Sequence, residues 1–531
     1  IHSIFVDTNS KIWIATNCGL SLFDPFRETF RNFKDVSGIH YTIQRAIYNV
    51  YSTSDDRIWV GTVSDLCYFD SKDTDLILSG KKNVNHMFIQ DIYWGISNPT
   101  VYCVFEDSFK NVWIGSNGGG ASFISSTSSF FHSWRINKIP GVTNGLNDKE
   151  VLTICVADNG NIWMGTDGGG INVNIDGRNC MFYSHDTGDI SSNTYHSSLK
   201  DSNGDLWFGN MYNEMGIDVF ISKEGRFIHY TPQGNGSVIY CLFEDNQRNV
   251  WIGSNNGLEI YNLITKKKDF LNKENSQLLT NEIKAVSQDK NGNIWIGTLN
   301  KGISIYNPES KTMKHINEHT IFENCVINQI FRDSKNRIWI ATTEGLVLFP
   351  NEQSDTYQLF NTQNGLACNL ICSIEEDSEG NIWLSTHSGI SCFIESEQRF
   401  LNYDHKDGTL FGTYMNNSVG KAQDGTIYFG SINGVCYFNP KDRPSNIILP
   451  PVIFTDFKVY GRNPHEDAID TSIPMTNGKI MLNHNQNIFS ITFNVMNKSL
   501  QGKVEYAYKL EGLEENWINI GGDNQVTFRN I

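Results

Sequence analysis

NVWIGSNNGLEIY (249–261), NIWIGTLNKGISIY (293–306) and RIWIATTEGLVLF (337–349) are copies of one pattern, and the steps from Trp251 to Trp295 to Trp339 are both 44 residues. Working outward from them, the signature recurs ten times, anchored at Trp13, Trp59, Trp113, Trp163, Trp207, Trp251, Trp295, Trp339, Trp383 and Tyr428. Each copy reads as four strands. An alternating run such as VYCVFED comes first, a polar turn closed by Gly or Asn follows, then the anchor strand (IWIGS), a Gly-bearing turn into a third strand (GLEIY), and a fourth strand of the F-x-x-Y kind. Four strands of about five residues with their loops need roughly 40 to 44 residues. Such a sheet cannot bury both faces alone, so the copies must stack around an axis as blades of a β-propeller, and the fold class is all-β.

Spacing divides the copies. The intervals before Trp163 are 46, 54 and 50 residues, whereas those after it are 44 five times and then 45. The expected organisation is three last blades of a first propeller over 1–137, a seven-bladed propeller over 138–445, and a further module over 446–531. A Trp recurring at one repeat position is a packing anchor rather than a ligand contact; it buries about 150 to 250 Å² at about 25 cal/mol per Å². The Asp six residues before the anchor (Asp7, Asp107, Asp201, Asp245, Asp289, Asp333, Asp377) suits a carboxylate that organises the turn between the first two strands. Calcium is the functional alternative, but one carboxylate per turn falls short of six to eight oxygen ligands, and no metal or other cofactor is expected.

Composition agrees with this class. Aromatics make up 12% of the 531 residues, Gly numbers 45, and Pro is scarce at 12, which argues against disorder. With 42 basic and 58 acidic residues the net charge is −16 and no basic run stands out, so direct nucleic-acid contact is not expected. No apolar window of about 18 residues and no leader-like segment is present, and because the chain begins at Ile1 its ends look cut. The 11 Cys follow the repeat: Cys103, Cys155, Cys241 and Cys372 share a first-strand position, and Cys67, Cys392 and Cys436 a third-strand position. Equivalent positions lie a blade apart, too far for a disulfide, so they read as small buried hydrophobes. No Cys/His spacing fits zinc.

The N-I-W-I-G-T-x-x-G-L core resembles the two-component-regulator propeller repeat over about residues 1 to 440. IFSITF and VEYAYKLEGLEENW, with Tyr506, Tyr508, Leu510, Gly512 and Trp517, resemble the triple-tyrosine β-sandwich module. Together they are similar to the periplasmic sensor half of the hybrid two-component systems with which gut Bacteroidetes detect glycans. That resemblance implies two seven-bladed propellers, an Ig-like sandwich, a membrane helix that anchors the full-length protein, and cytoplasmic kinase, receiver and DNA-binding modules. It also implies an oligosaccharide ligand and a homodimer. Against that pattern this sequence lacks about four N-terminal blades and stops before the last sandwich strands.

Site candidates come from unusual loops. The long loop after Trp207 carries Asn210, Tyr212, Asn213 and Glu214; FFHSWRINK adds Trp134 and Arg135, with Lys138 beside them; and QDIYWG adds Tyr93 and Trp94. Aromatic rings beside amide, carboxylate and guanidinium groups suit a sugar, although packing between blades or between propellers is the commoner role for any single one of them. The Gly triplets at 118–120 and 168–170 read as tight turns, because no Lys-Ser/Thr follows, and His315 with His319 lacks the HExxH order. A tandem-propeller glycoside hydrolase or lyase is the competing class, and a protein-docking propeller a third. The Asp-box Thr of the hydrolases is absent, since Ile, Val or Leu precedes all ten anchors, and no paired carboxylates stand out, so no catalytic residue is assigned. The last copy runs into NPKDRPSNIILPP without a fourth strand, and residues 130–136 are expected to supply it by pairing with 434–438.

Overall fold

The computed structural model describes residues 1–7, 10–33, 46–78, 85–87, 98, 100–126, 130–136, 145–175, 180–211, 216–233, 238–317, 320–351, 356–443, 451–459, 475–476, 479–480, 482, 486–496 and 504–529. Two compact units emerge: Ser128–Arg443, and Ile1–Thr127 together with Pro444–Ile531. The boundary expected at 137 therefore moves upstream, because the segment just before it belongs to the second unit.

Ser128–Arg443 consists of seven four-stranded antiparallel sheets. Their first strands (Val151–Val156, Tyr195–Lys200, Ile239–Glu244, Ile283–Gln288, Ile327–Arg332, Ile371–Glu376 and Tyr414–Lys421) contact one another in sequence, and the last returns to the first. They therefore surround the axis of a closed ring. Six blades are continuous in sequence. The seventh takes its fourth strand from His132–Trp134, with His132 opposite Tyr437, Ser133 opposite Cys436 and Trp134 opposite Val435. Pairing residues some 300 positions apart removes the open edge that the last copy would otherwise present.

The anchors pack forward onto the next blade. Trp295 sits among Ile327, Ile330, Ile338, Ile340, Val347 and Phe349 of the following sheet, and Trp251, Trp295, Trp339 and Trp383 are 0–1% exposed. The preceding Asp fixes both the turn and the indole. Asp245 Oδ1 accepts from the backbone N–H groups of Gln247 and Asn249, and its Oδ2 accepts from Trp251 Nε1 at 2.8 Å and Asn249 Nδ2 at 2.8 Å. The same carboxylate-to-indole bond recurs at Asp7, Asp107, Asp201, Asp289, Asp333 and Asp377. These oxygens face N–H donors, the geometry of a turn clamp. At Asp107 partial burial works against ionisation, yet the bonds from Trp113, Asn111 and the backbone hold the carboxyl below its ordinary pKa. The third residue after the Asp is left-handed in every blade, and Ser10, Lys110, Arg248 and Asn336 occupy it without being Gly. Carboxylate bonds to the flanking N–H groups make that strained turn tolerable.

In the other unit, strands at 3–32 and 47–87 form two four-stranded sheets and those at 101–124 a three-stranded one. Cys103 is exposed there, unlike buried Cys67, Cys155, Cys241, Cys372, Cys392 and Cys436, because no following blade covers its sheet among the described residues. The C-terminal part forms a three-stranded sheet of Val452–Val459, Ile488–Val495 and Gln525–Arg529. Tyr506, Tyr508 and Leu510 pack against its Phe493, Val526 and Phe528, whereas Trp517 is 70% exposed.

Two substitutions test this packing. Trp295→Ala should cost about 3–5 kcal/mol in a denaturant titration. Trp163 Nε1 is buried without a hydrogen-bond partner, since Ala157 occupies the clamp position. Ala157→Asp should therefore stabilise the ring by about 1–2 kcal/mol, and a lower melting temperature would contradict the clamp.

Candidate functional site

The sequence candidates do not form one site. Trp134 lies in the closing strand at 9% exposure, with its ring 5.4 Å from Tyr428 and 4.7 Å from Tyr437. It is a packing ring, and Arg135 follows it with its carbonyl accepting from Leu146 N–H at 2.9 Å. Asn210 is buried at the end of the Trp207 strand, and its Nδ2 donates to Ser191 Oγ at 3.2 Å. Ser191 Oγ and Tyr195 OH in turn donate to Asp218 Oδ2, and His229 Nδ1 lies 3.2 Å from Asp218 Oδ1. That knot ties the strands of one blade together. Tyr93, Trp94, Lys138, Tyr212, Asn213, Glu214 and His319 lie outside the described residues. His315 bonds Ser304 Oγ at 3.0 Å across two adjacent strands, a structural pairing.

What the ring does build is an axial cavity of about 370 Å³, bounded by its first strands. Phe243 and Phe331 supply rings, Gln288, Gln329 and Asn417 supply amides, Ser198 and Ser287 supply hydroxyls, and Arg332 and Glu375 supply charge. Such a volume is within the range of small-ligand sites, and aromatic faces with a few convergent polar groups are the composition such sites use. Several of these groups also hold the ring: Gln329 Oε1 accepts from Ile374 N–H at 2.6 Å, and Ser198 Oγ lies 2.6 Å from Thr153 Oγ1.

Arg332 departs from the rule at its position. In four of the seven blades the last residue of the first strand reaches back to the turn of the preceding blade: Lys200 to Asp158, Glu244 to Ser202, Gln288 to Asn246 and Glu376 to Ser334. For Arg332 the corresponding turn carries Lys290, which offers no acceptor. Its guanidinium makes no ion pair among the described residues and stays exposed at the cavity. Glu375 is the one carboxylate among the described lining residues, 3.6 Å from Lys421 Nζ and 17% exposed. Burial raises its pKa above the ordinary glutamate value, and Lys421 offsets this only in part. One signal in the sequence marked this place: Ser198, Gln329, Glu375 and Asn417 interrupt strands that pure packing would make apolar.

A raised carboxyl pKa has a definite sign. Glu375 binds its proton more tightly folded than unfolded, so stability is lost as pH rises through the folded value. Glu375→Gln should accordingly raise the melting temperature at pH 7 and lose that advantage at acid pH; an equal gain at both would refute the burial argument.

Known proteins share this architecture. The family described as two component regulator propeller matches residues 95–118, 145–168, 233–256, 277–300, 321–344 and 365–388. The crystal structure of the extracellular domain of a hybrid two component system from B. thetaiotaomicron is 36% identical, with a TM-score of 0.78 over 100% of this chain and 68% of its own. A second such domain from B. thetaiotaomicron, 19% identical with a TM-score of 0.51 over 100% of this chain and 72% of its own, shares the fold. Histidine kinase P4 of Formosa agariphila is 33% identical over 129 residues, which is 24% of this chain and only 9% of that kinase.

Proposed function

We propose that this chain, which belongs to the two-component-regulator propeller family of hybrid two-component sensors, receives an oligosaccharide in the axial cavity of its seven-bladed ring. The observation that carries the reading is the cavity itself, where two aromatic rings, amides, hydroxyls and an uncommitted guanidinium converge on the axis. On this reading the chain is the periplasmic region of a membrane-anchored histidine kinase that acts as a homodimer and controls genes for glycan use. A closed ring has no moving element of its own, so ligand binding signals by favouring one arrangement of domains or subunits over another. Cleavage is the less favoured role, because glycoside hydrolysis uses two carboxylates and the described lining holds Glu375 alone.

Calorimetric titration of the chain against a panel of plant and host oligosaccharides tests this, with product analysis of the same mixtures. Arg332→Ala should weaken binding about tenfold while leaving the melting temperature unchanged. Turnover of a panel member would make the protein an enzyme, and binding indifferent to Arg332 would move the site away from the cavity.

A further inference from the structure

The leading ends of the first strands carry a second set of polar groups. In the six blades that are continuous in sequence their second positions hold Leu152, His196, Tyr240, Lys284, Asn328 and Cys372. Two of these tether the next blade: Asn328 Nδ2 donates to the Ile371 carbonyl at 2.7 Å, and Cys372 Sγ lies 3.2 Å from the Tyr414 carbonyl. His196, Tyr240 and Lys284 instead form a row across three blades. The His196 ring meets the Tyr240 ring edge-on at 6.0 Å, and Lys284 Nζ sits 3.2 Å from the centre of the Tyr240 ring. Two residues further along the same strands, Ser198, Leu242 and Val286 line the axial cavity, a separation of about 7 Å.

This row holds a cation with no counter-ion. Lys284 makes no ion pair among the described residues; Glu282 is the acid whose field reaches both it and Tyr240. His196 Nδ1 is buried without a hydrogen-bond partner. Burial, and then the Lys284 charge, push the imidazole down to about 4, and burial also pulls the Lys284 ammonium below its ordinary value. Burying a ring nitrogen without a partner costs free energy, which an oxyanion brought in by the Lys284 ammonium would offset. The Lys284 ammonium and the His196 ring N–H are two donor groups, one for each oxygen of a carboxylate.

We propose that His196 and Lys284, held on the Tyr240 ring, are the seat for the carboxylate of an acidic sugar, so that the ligand of the axial passage is a uronate-bearing oligosaccharide. This rests on the reading of the axial cavity as the ligand site. A carboxylate beside Nδ1 favours the doubly protonated ring, because the imidazolium is the form that a negative charge stabilises. Binding therefore takes up one proton from solution, and affinity rises as pH falls toward the imidazole's own range while the uronate stays ionised. Lys284 and Tyr240 act on this titration directly, while Glu282 and the Cys241 thiol act on Lys284.

The experiment follows the His196 imidazole of the chain by NMR through a pH titration, with glucuronate or glucose added to ~50 mM. Glucuronate should raise the His196 pKa by about one unit or more, glucose should not, and Lys284→Met, verified by an unchanged melting temperature, should abolish the difference. In calorimetry, His196→Gln should weaken glucuronate binding and remove its pH dependence. A His196 titration unmoved by glucuronate, or a shift that survives Lys284→Met, overturns the seat. Neutral oligosaccharides bound in an Arg332-dependent way, with His196 untouched by glucuronate, would keep the cavity and discard the seat; a His196 shift in a chain that binds no oligosaccharide would do the reverse.

Discussion

The bond from an anchor indole to the Asp six residues before it is the interaction on which the rest of this structure rests. It joins two requirements that are otherwise separate, a tight turn with a left-handed residue and a large ring held at one angle for the next blade to pack on. One carboxylate satisfies both, using one oxygen for the turn's N–H groups and the other for the indole. Thr53 performs a reduced version, its hydroxyl accepting from Trp59 Nε1 at 3.2 Å. In the Tyr428 blade Ala422 stands at the clamp position, and the anchor is the one aromatic without an indole N–H to satisfy. Loss of acceptor and loss of donor occur together there, as a buried polar group without a partner would demand.

The two blades that lack the clamp, those of Trp163 and Tyr428, meet where the ring closes. There other contacts take over. Trp134 from the closing strand packs at a tilt against Tyr428 and Tyr437, and this cluster is continuous with Val151, Ile154, Ile162 and Met164 of the next blade. Ser418 Oγ also donates to the Val151 carbonyl, stitching the last first strand to the earliest. Closure thus depends on side-chain contacts between ends of the unit that are far apart in sequence.

A ring closed in this way fixes its axis. The side chains around it are positioned by tethers such as Gln329 to Ile374 and Asn328 to Ile371, so the cavity exists before any ligand arrives. Preformed sites lose less conformational entropy on binding. Arg332, whose guanidinium makes no ion pair among the described residues, is the exception to this tethering.

The sequence by itself determined the blades, their number and their order, because anchor, turn Asp and strand alternation are local patterns that repeat at a fixed interval. It also determined that the last blade needed a borrowed strand, since a missing fourth segment is visible in one copy. It did not locate the site. Trp134 stands out in the sequence as a Trp outside the repeat, yet it is buried because the strand that carries it joins a sheet some 300 residues away. His196, Tyr240 and Lys284 are single letters in three separate copies, 44 residues apart each time, and nothing local marks them as neighbours. Only closure of the ring brings equivalent positions of successive first strands side by side around one axis, and for that reason the tertiary structure alone decided where the polar groups converge.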